Sequence, residues 1–125
     1  MKDYKDYFIE GVSFLEEAEN SVKNPKDEGF NFYLIQTSVE KFLKAIMSYY
    51  GIKFPEQDYI DVLIEKIEEE TTIRFPDFKD ELLELAFVPY EGGCASSTVY
   101  EKRPESFLNA VKQLKEFVLD EIPVF

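Results

Sequence analysis

Apolar residues recur every three or four positions in five separate segments of this chain, and this spacing constrains the fold more than any other feature. Residues three or four apart share one face of an α-helix, whereas a β-strand alternates every second residue. In SVEKFLKAIMSYYGIKFP, residues 38–55, for example, the apolar positions share one face. No stretch alternates long enough to predict a strand. The pattern therefore predicts an all-α protein.

Glycine and proline mark most ends of the predicted helices. Pro25 ends the first helix and Gly51 is a natural C-cap for the second, which starts at about residue 29. Pro89 ends a short fourth helix. Pro104 suits the first turn of the last helix, which ends before Pro123.

Acidic residues are expected to begin the middle helices. Asp27 is a candidate N-cap for the second helix, and the pairs Asp58/Asp61 and Asp77/Asp80 resemble capping boxes of the third and fourth. Amphipathic helices with mostly short connections pack as antiparallel neighbours. The chain is therefore expected to form one domain, residues 1–125, an antiparallel up-and-down four-helix bundle with an additional short helix.

Composition excludes several classes of function. The 125 residues contain 14 Lys and Arg against 26 Asp and Glu, so the net charge is −12. This field argues against nucleic acid, because phosphate binding requires clustered cations. There is no histidine, which removes the usual general base near neutral pH and the commonest metal ligand. Helix-borne carboxylates are abundant, but no Glu-x-x-His motif accompanies them, so we expect neither a metal nor another cofactor.

The expected location is the cytoplasm. The single cysteine, Cys94, excludes an intrachain disulfide and a multi-cysteine zinc site, and one unpaired thiol suits a reducing compartment. The first residues carry acids among their apolar residues and do not form a signal peptide. No apolar stretch reaches transmembrane length, so no membrane association is expected.

Glu40 and Lys44 are the first candidate ligand-binding residues. They lie one turn apart at the edge of the apolar face of the second helix. The functional interpretation is a lysine that contacts a nucleotide or phosphate and is held by the glutamate. The structural interpretation is an i, i+4 ion pair, which contributes about 0.2–0.5 kcal/mol when exposed. The structural interpretation is favoured, because phosphate sites usually recruit more cations or backbone N–H groups.

Lys102 and Arg103 form a second candidate site, a small anion site beside the long loop 89–103. Cations at a helix N-terminus oppose the helix dipole, so a solvated loop end is the favoured alternative. The loop contains EGGCASS, which lacks the Gly-Lys-Ser/Thr ending of a phosphate-binding P-loop. Loops of this length are often functional, and this one is an expected place for a partner.

The aromatic residues near the two ends of the second helix are predicted to lie mostly in the core. These residues are Phe30, Phe32, Tyr33, Tyr49 and Tyr50. In the first helix, Tyr4, Tyr7 and Phe8 exceed what one apolar stripe requires. A subunit interface would use them well, because aromatic residues are enriched there.

Residues 30–67, FNFYLIQTSVEKFLKAIMSYYGIKFPEQDYIDVLIEKI, resemble the HEPN family of small helical-bundle proteins. The resemblance rests on an aromatic-rich helix start, then Gln36, then EKFLKAI, then the turn GIKFP and the capping stretch and helix DYIDVLIEKI. It implies a helical bundle and a homodimer. It also implies a partner protein, a minimal nucleotidyltransferase of the kind paired with many family members.

The reaction that the resemblance implies for many members is metal-independent RNA cleavage. In those members an Arg and a His several residues later carry out the reaction. The His would move a proton and the Arg would stabilise phosphate charge. This sequence has no His. Where the family usually has Arg-Tyr-Pro, this sequence has Pro89 and Tyr90 instead. Tyr90 therefore joins the candidate ligand-binding residues. Arg74 lies too early in the chain to be the catalytic Arg, and no His follows it. In the capping stretch, Asp58 stands where relatives often carry a His.

The expected function is therefore that of a HEPN-like protein without catalytic residues. It would bind a partner, and the resemblance implies that this partner is a minimal nucleotidyltransferase in a toxin–antitoxin-type system. The alternative is a nucleotide- or RNA-binding member with divergent ribonuclease activity. The missing imidazole argues against the enzyme, because proton transfer in RNA cleavage normally uses one.

Overall fold

The computed structural model describes residues 2–23, 28–87 and 104–124, and the regular secondary structure in these ranges is helical. The helices are α1 (Tyr4–Lys23), α2 (Glu28–Tyr50), α3 (Ile60–Glu70), α4 (Lys79–Ala86) and α5 (Glu105–Glu121). The prediction of an all-α bundle with an additional short helix is confirmed. In the described ranges, no helix has both the length and the apolar character needed to cross a membrane.

Helix α2 lies at the centre of the bundle and contacts each of the other four helices. Its residues 34–39 are buried without a break, so this part of the helix is enclosed on all sides rather than on one face. Such enclosure requires that the polar residues within it find partners inside the protein. The single apolar stripe predicted for α2 therefore understates its burial.

Contacts at the helix ends fix the directions of α1, α2 and α5. The rings of Tyr4 and Tyr49 meet edge to face with centroids 5.1 Å apart, and the Tyr4 hydroxyl donates to the backbone oxygen of Pro123 at 3.3 Å. Farther along α1, Glu19 pairs with Lys112 at 3.3 Å. Helix α1 therefore runs antiparallel to both α2 and α5, as the bundle topology requires.

Helices α1 and α2 approach closely at Gly11. The Ser38 hydroxyl donates to the backbone oxygen of Gly11 at 2.8 Å. A Cβ atom built on Gly11 would lie 2.7 Å from the ring of Phe42, which is fully buried. Glycine at this position therefore allows the backbone of α1 to lie directly on an aromatic ring of α2.

The predicted capping boxes Asp58/Asp61 and Asp77/Asp80 are wrong. The N-cap residues of α3 and α4 are Tyr59 and Phe78, and neither makes a side-chain cap hydrogen bond. Asp58 lies just outside α3, where its carboxylate pairs with a lysine of α2 instead. An ammonium group in reach competes with the backbone N–H groups for the same oxygens.

A capping box does occur at α1, where the sequence analysis did not place one. The Asp3 carboxylate accepts hydrogen bonds from the backbone N–H groups of Lys5 at 2.9 Å and Asp6 at 3.1 Å. The Asp6 carboxylate in turn accepts from the backbone N–H of Asp3 at 3.0 Å. Both orphan donors and the positive end of the helix dipole are thereby satisfied.

The predicted C-cap of α2 is confirmed. Gly51 has a φ of 69°, and its N–H donates to the backbone oxygen of Ser48 at 3.3 Å. Glycine adopts this left-handed conformation without steric penalty. The other predicted helix-end residues Pro25, Asp27 and Pro89 lie outside the described residues.

Candidate functional site

A surface groove of about 340 Å³ lies between α2 and the turn that leads into α3. Two of the sequence-predicted residues, Glu40 and Lys44, line this α2–α3 groove. The remaining lining residues are Tyr33, Thr37, Lys41, Asp58 and Tyr59. The groove therefore combines two cations, two carboxylates and two phenol rings.

The Lys44 side chain is only 13% exposed, less than that of Lys41 at 20% or Asp58 at 46%. The Lys44 ammonium lies 2.7 Å from the Asp58 carboxylate and 5.4 Å from the centroid of the Phe54 ring. Lys44 therefore connects α2 to the turn before α3. The spacing of Glu40 and Lys44 did not predict this longer-range ion pair.

Lys41 extends the charged side of the groove towards α1. Its ammonium lies 2.9 Å from Glu10, which also contacts Lys2 at 3.0 Å. The hydrogen bond from Lys41 lowers the pKa of Glu10, and the hydrogen bond from Lys2 adds to this effect. Lys41 also lies 5.8 Å from the centroid of the Tyr7 ring. These contacts fix Lys41 between a carboxylate and an aromatic ring.

Three exposed aromatic side chains, Phe30, Tyr33 and Tyr59, lie in or next to the groove, and we call them the aromatic rim. Their exposed fractions are 46%, 41% and 46%. The rings of Phe30 and Tyr33 are stacked, with an interplanar angle of 20°. Such exposure of large aromatic side chains is typical of binding surfaces.

The exposure of four aromatic side chains of α2 corrects their assignment to the core. Among the five aromatic residues assigned there, Phe32 is fully buried, whereas Phe30, Tyr33, Tyr49 and Tyr50 are all more than 40% exposed. Exposure depends on which side of α2 the neighbouring helices cover. The sequence carried no signal for that coverage.

The other predicted site residues, Tyr90, Lys102 and Arg103, lie outside the described residues, as do Cys94 and the predicted loop 89–103. The structure therefore brings Glu40 and Lys44 into one groove. The other five residues of that groove were not predicted as binding residues: Tyr33, Thr37, Lys41, Asp58 and Tyr59.

The sequence model of the HEPN domain family matches residues 4–121 of the chain. The chain belongs to the HEPN family. No curated protein and no solved structure shows a significant match. The predicted family is therefore confirmed over almost the whole length of the chain.

The HEPN motif residue Gln36 has a structural role. Its side chain is fully buried, and its amide nitrogen donates to the backbone oxygen of Leu85 at 2.9 Å. That oxygen belongs to the last turn of α4, where carbonyl groups lack intrahelical partners. Gln36 therefore joins the central HEPN helix to the short helix.

Arg74 is also occupied structurally in this HEPN protein. Its Nη1 donates to the backbone oxygens of Ile73 at 2.7 Å and Glu68 at 2.8 Å, and more weakly to that of Thr71 at 3.3 Å. These carbonyls lie at and after the C-terminus of α3. The guanidinium thus satisfies the end of a helix, which explains an arginine at this position without catalysis.

The described part of this HEPN chain contains no set of side chains suited to bind a metal ion. No group of three or more His, Cys, Asp or Glu side chains lies close enough to hold an ion there. Glu68, a partly buried carboxylate of α3, contacts Lys79 at 2.6 Å and accepts from the backbone N–H of Phe75. Burial raises the pKa of Glu68, but these two hydrogen bonds and the positive charges of Lys79 and Arg74 together lower it below its ordinary value.

Proposed function

We propose that this HEPN protein is a non-catalytic binding module whose partner is another protein. The resemblance to HEPN members suggests a minimal nucleotidyltransferase, in a toxin–antitoxin-type pair in the cytoplasm. The observation that carries the proposal is that these 125 residues contain no histidine. The ribonuclease implied by the resemblance requires a group that exchanges protons near neutral pH, and the imidazole is its usual source.

The aromatic rim supports a protein partner. Rigid aromatic side chains bury a large apolar area at a small loss of conformational entropy, and they dominate many interfaces. Around the rim, Lys41 and Lys44 are already paired with carboxylates. The rings therefore offer the apolar part of the contact, and the net charge of −12 favours a partner with a basic surface.

We also propose a symmetric homodimer, as the resemblance implies. Phe8 cannot contribute to its interface, because the side chain is buried in the core against Phe42. Tyr4 and Tyr7 remain available, since both are only partly buried. Light scattering over a dilution series tests this proposal: we expect twice the chain mass of 14.7 kDa, and a constant monomer mass would contradict it.

Binding to a recombinant minimal nucleotidyltransferase, taken from a neighbouring gene where one encodes it, tests the main proposal. We expect a stable complex by calorimetry, and we expect the double variant Tyr33→Ser/Tyr59→Ser to weaken it at least tenfold. Tyr50→Ser is the matched control, since Tyr50 is exposed to a similar extent, 44%, but lies outside the groove. Equal weakening by the control, or no complex, would reject the proposed surface or the proposed partner.

An RNA cleavage assay tests the non-catalytic part. The purified chain is expected to leave a labelled transcript intact. Cleavage that survives purification and disappears in Arg103→Ala would establish a divergent ribonuclease and contradict the proposal.

Nucleotide binding in the α2–α3 groove is the second candidate function. It is favoured by Lys44, which could contact a phosphate, and by the adjacent rings of Tyr33 and Tyr59, on which a base could stack. A rise in unfolding temperature with added nucleotide, abolished in Lys44→Ala, would support it. An unchanged unfolding temperature across the nucleotides would reject it.

A further inference from the structure

A second groove, of about 480 Å³, lies at the end of the bundle where α1 begins and α2 ends. We call it the end groove. Its side chains come from the first residues of the chain, the last turns of α2 and the turn that follows. They include Lys2, Tyr7, Ser48, Lys53 and Phe54.

The charge of the end groove is opposite to that of the molecule. Two lysines line it, and no acidic side chain does. Three other grooves in the described ranges each include at least two carboxylates among their lining residues. Lys53 is exposed and makes no ion pair with the described residues. A free cation is therefore held at this position of a chain whose net charge is −12.

The groove also presents two aromatic rings at a right angle. The rings of Tyr7 and Phe54 meet edge to face, with centroids 5.5 Å apart and an interplanar angle of 78°. The Lys2 ammonium lies 5.5 Å from the centroid of the Tyr7 ring. Positive charge and flat apolar surface therefore occur side by side, an arrangement that suits a ligand with both a negative group and a flat ring.

The C-terminus of α2 does not oppose an anion as strongly as an uncapped helix end would. The backbone oxygens of Met47 and Ser48 accept hydrogen bonds from the N–H groups of Ile52 at 2.9 Å and Gly51 at 3.3 Å. Carbonyl groups that are already bonded in this way present less uncompensated negative charge. Lys2 is paired with Glu10 at 3.0 Å, so Lys53, which has no such partner among the described residues, determines the sign of the local field.

We propose that the end groove binds a small organic anion that carries its carboxylate or phosphate next to a flat ring. Lys53 contacts the anionic group, Lys2 remains paired with Glu10 at the side of the groove, and the corner formed by Tyr7 and Phe54 receives the ring. The end groove adjoins the α2–α3 groove but shares no lining residue with it, and the proposal does not depend on a protein partner.

Titration of the full ¹⁵N-labelled chain, followed by NMR, tests the proposal. The probes are phenyl phosphate and benzoate, with inorganic phosphate and acetate as ring-free controls and phenol as the uncharged control. We expect at least one ring-bearing anion to shift the amide signals of residues 51–54 with saturation, at least tenfold more tightly than its ring-free control and than phenol. The tighter of the two probes identifies the preferred anionic group.

Charge variants separate the groove from the overall field of the molecule. Lys53→Glu should weaken binding at least tenfold. Lys23→Glu changes the net charge equally, at another exposed lysine that makes no ion pair with the described residues, and should change binding less than twofold. Phe54→Leu keeps the lysines and should remove the preference for a ring.

Three outcomes would overturn the proposal. The first is binding of inorganic phosphate or acetate as tight as that of the ring-bearing probes, which would mean an adventitious ion only. The second is equal weakening by the two charge variants when both give the dispersed spectrum of the folded chain. The third is signal shifts that are linear in concentration or spread over the whole surface.

Discussion

The buried amide of Gln36 shows how one side chain can hold two helices together. It lies within the uninterrupted buried part of α2, and its donor reaches the end of α4 at Leu85. A buried carbonyl that loses its donor retains the full desolvation penalty. Gln36 therefore belongs to the stability of the bundle rather than to a surface site.

Replacing Gln36 by Leu should lower the free energy of unfolding by about 0.5–1.5 kcal/mol, because a side chain of similar size removes the amide donor and leaves the Leu85 carbonyl with only the backbone N–H of the C-cap residue Phe87. Urea unfolding followed by circular dichroism measures the change. Gln113→Leu is the matched control at an exposed position of α5 and should shift stability by about 0.5 kcal/mol or less. Equal midpoints for the two variants would show that the hydrogen bond is energetically neutral.

Glu10 should make stability depend on pH. Its pKa in the folded chain lies below the ordinary value of 4.5, first because of the hydrogen bond from Lys41. The stabilisation is therefore complete above about that value and disappears as the pH falls through the folded pKa. We expect Glu10→Gln to destabilise the chain by about 0.2–1 kcal/mol at pH 7, and the difference should shrink as the pH falls below 4.5.

Thermal unfolding of the native chain and the Glu10→Gln variant between pH 7 and pH 3 tests this dependence. Glu16→Gln, an exposed position of the same helix, controls for the loss of one negative charge. A difference between native chain and Glu10→Gln that stays constant down to pH 3 would contradict the assigned ion pairs.

At the scale of elements, ion pairs connect different segments of the bundle. These pairs are Lys41–Glu10, Lys44–Asp58, Lys79–Glu68 and Lys112–Glu19. Partners 11 to 14 residues apart, as in Lys44–Asp58 and Lys79–Glu68, do not follow from helical spacing. Local rules therefore misassigned Asp58 as a cap, because the competing lysine comes from another helix.

The crossing of α1 and α2 should be intolerant of any side chain at Gly11. Alanine favours helices over glycine, but its Cβ would lie 2.7 Å from the Phe42 ring, which is fully buried and cannot move aside freely. We expect Gly11→Ala to destabilise the chain by about 1–3 kcal/mol. Ser13→Ala, at an exposed position of α1, should have little effect.

A double-mutant cycle with Phe42→Leu identifies the cause. If the clash is with the ring, Gly11→Ala should cost less in the Phe42→Leu background than in the native chain. Additive effects of the two substitutions in urea unfolding would place the cost elsewhere, and stabilisation by Gly11→Ala would contradict the close approach.

For the whole molecule, periodicity was sufficient to predict the class of fold, because core contacts impose a 3.6-residue repeat on each helix. The same reasoning placed Glu40 and Lys44 at the edge of the apolar arc, and both line the α2–α3 groove. It could not predict the exposure of Tyr33 or the pairing of Lys44. Those properties depend on which helices cover which sides of α2, and the sequence spacing does not contain that information.

The net charge of −12 should also govern how the whole chain responds to salt. Repulsion among 26 acidic residues opposes the compact state, whereas the ion pairs between elements stabilise it, and salt screens both. Partly exposed pairs contribute little each. We therefore expect repulsion to dominate and the unfolding temperature to rise between 20 and 500 mM NaCl, concentrations at which the Debye length falls from roughly 20 Å to below 5 Å.

The double variant Glu65→Lys/Glu69→Lys tests this explanation on the exposed side of α3. Each substitution removes one negative charge and adds one positive charge, so the net charge changes from −12 to −8. Because less repulsion remains to be screened, the rise in unfolding temperature with salt should be smaller than in the native chain. If the unfolding temperature of the native chain falls with salt instead, the ion pairs that connect the helices outweigh the repulsion.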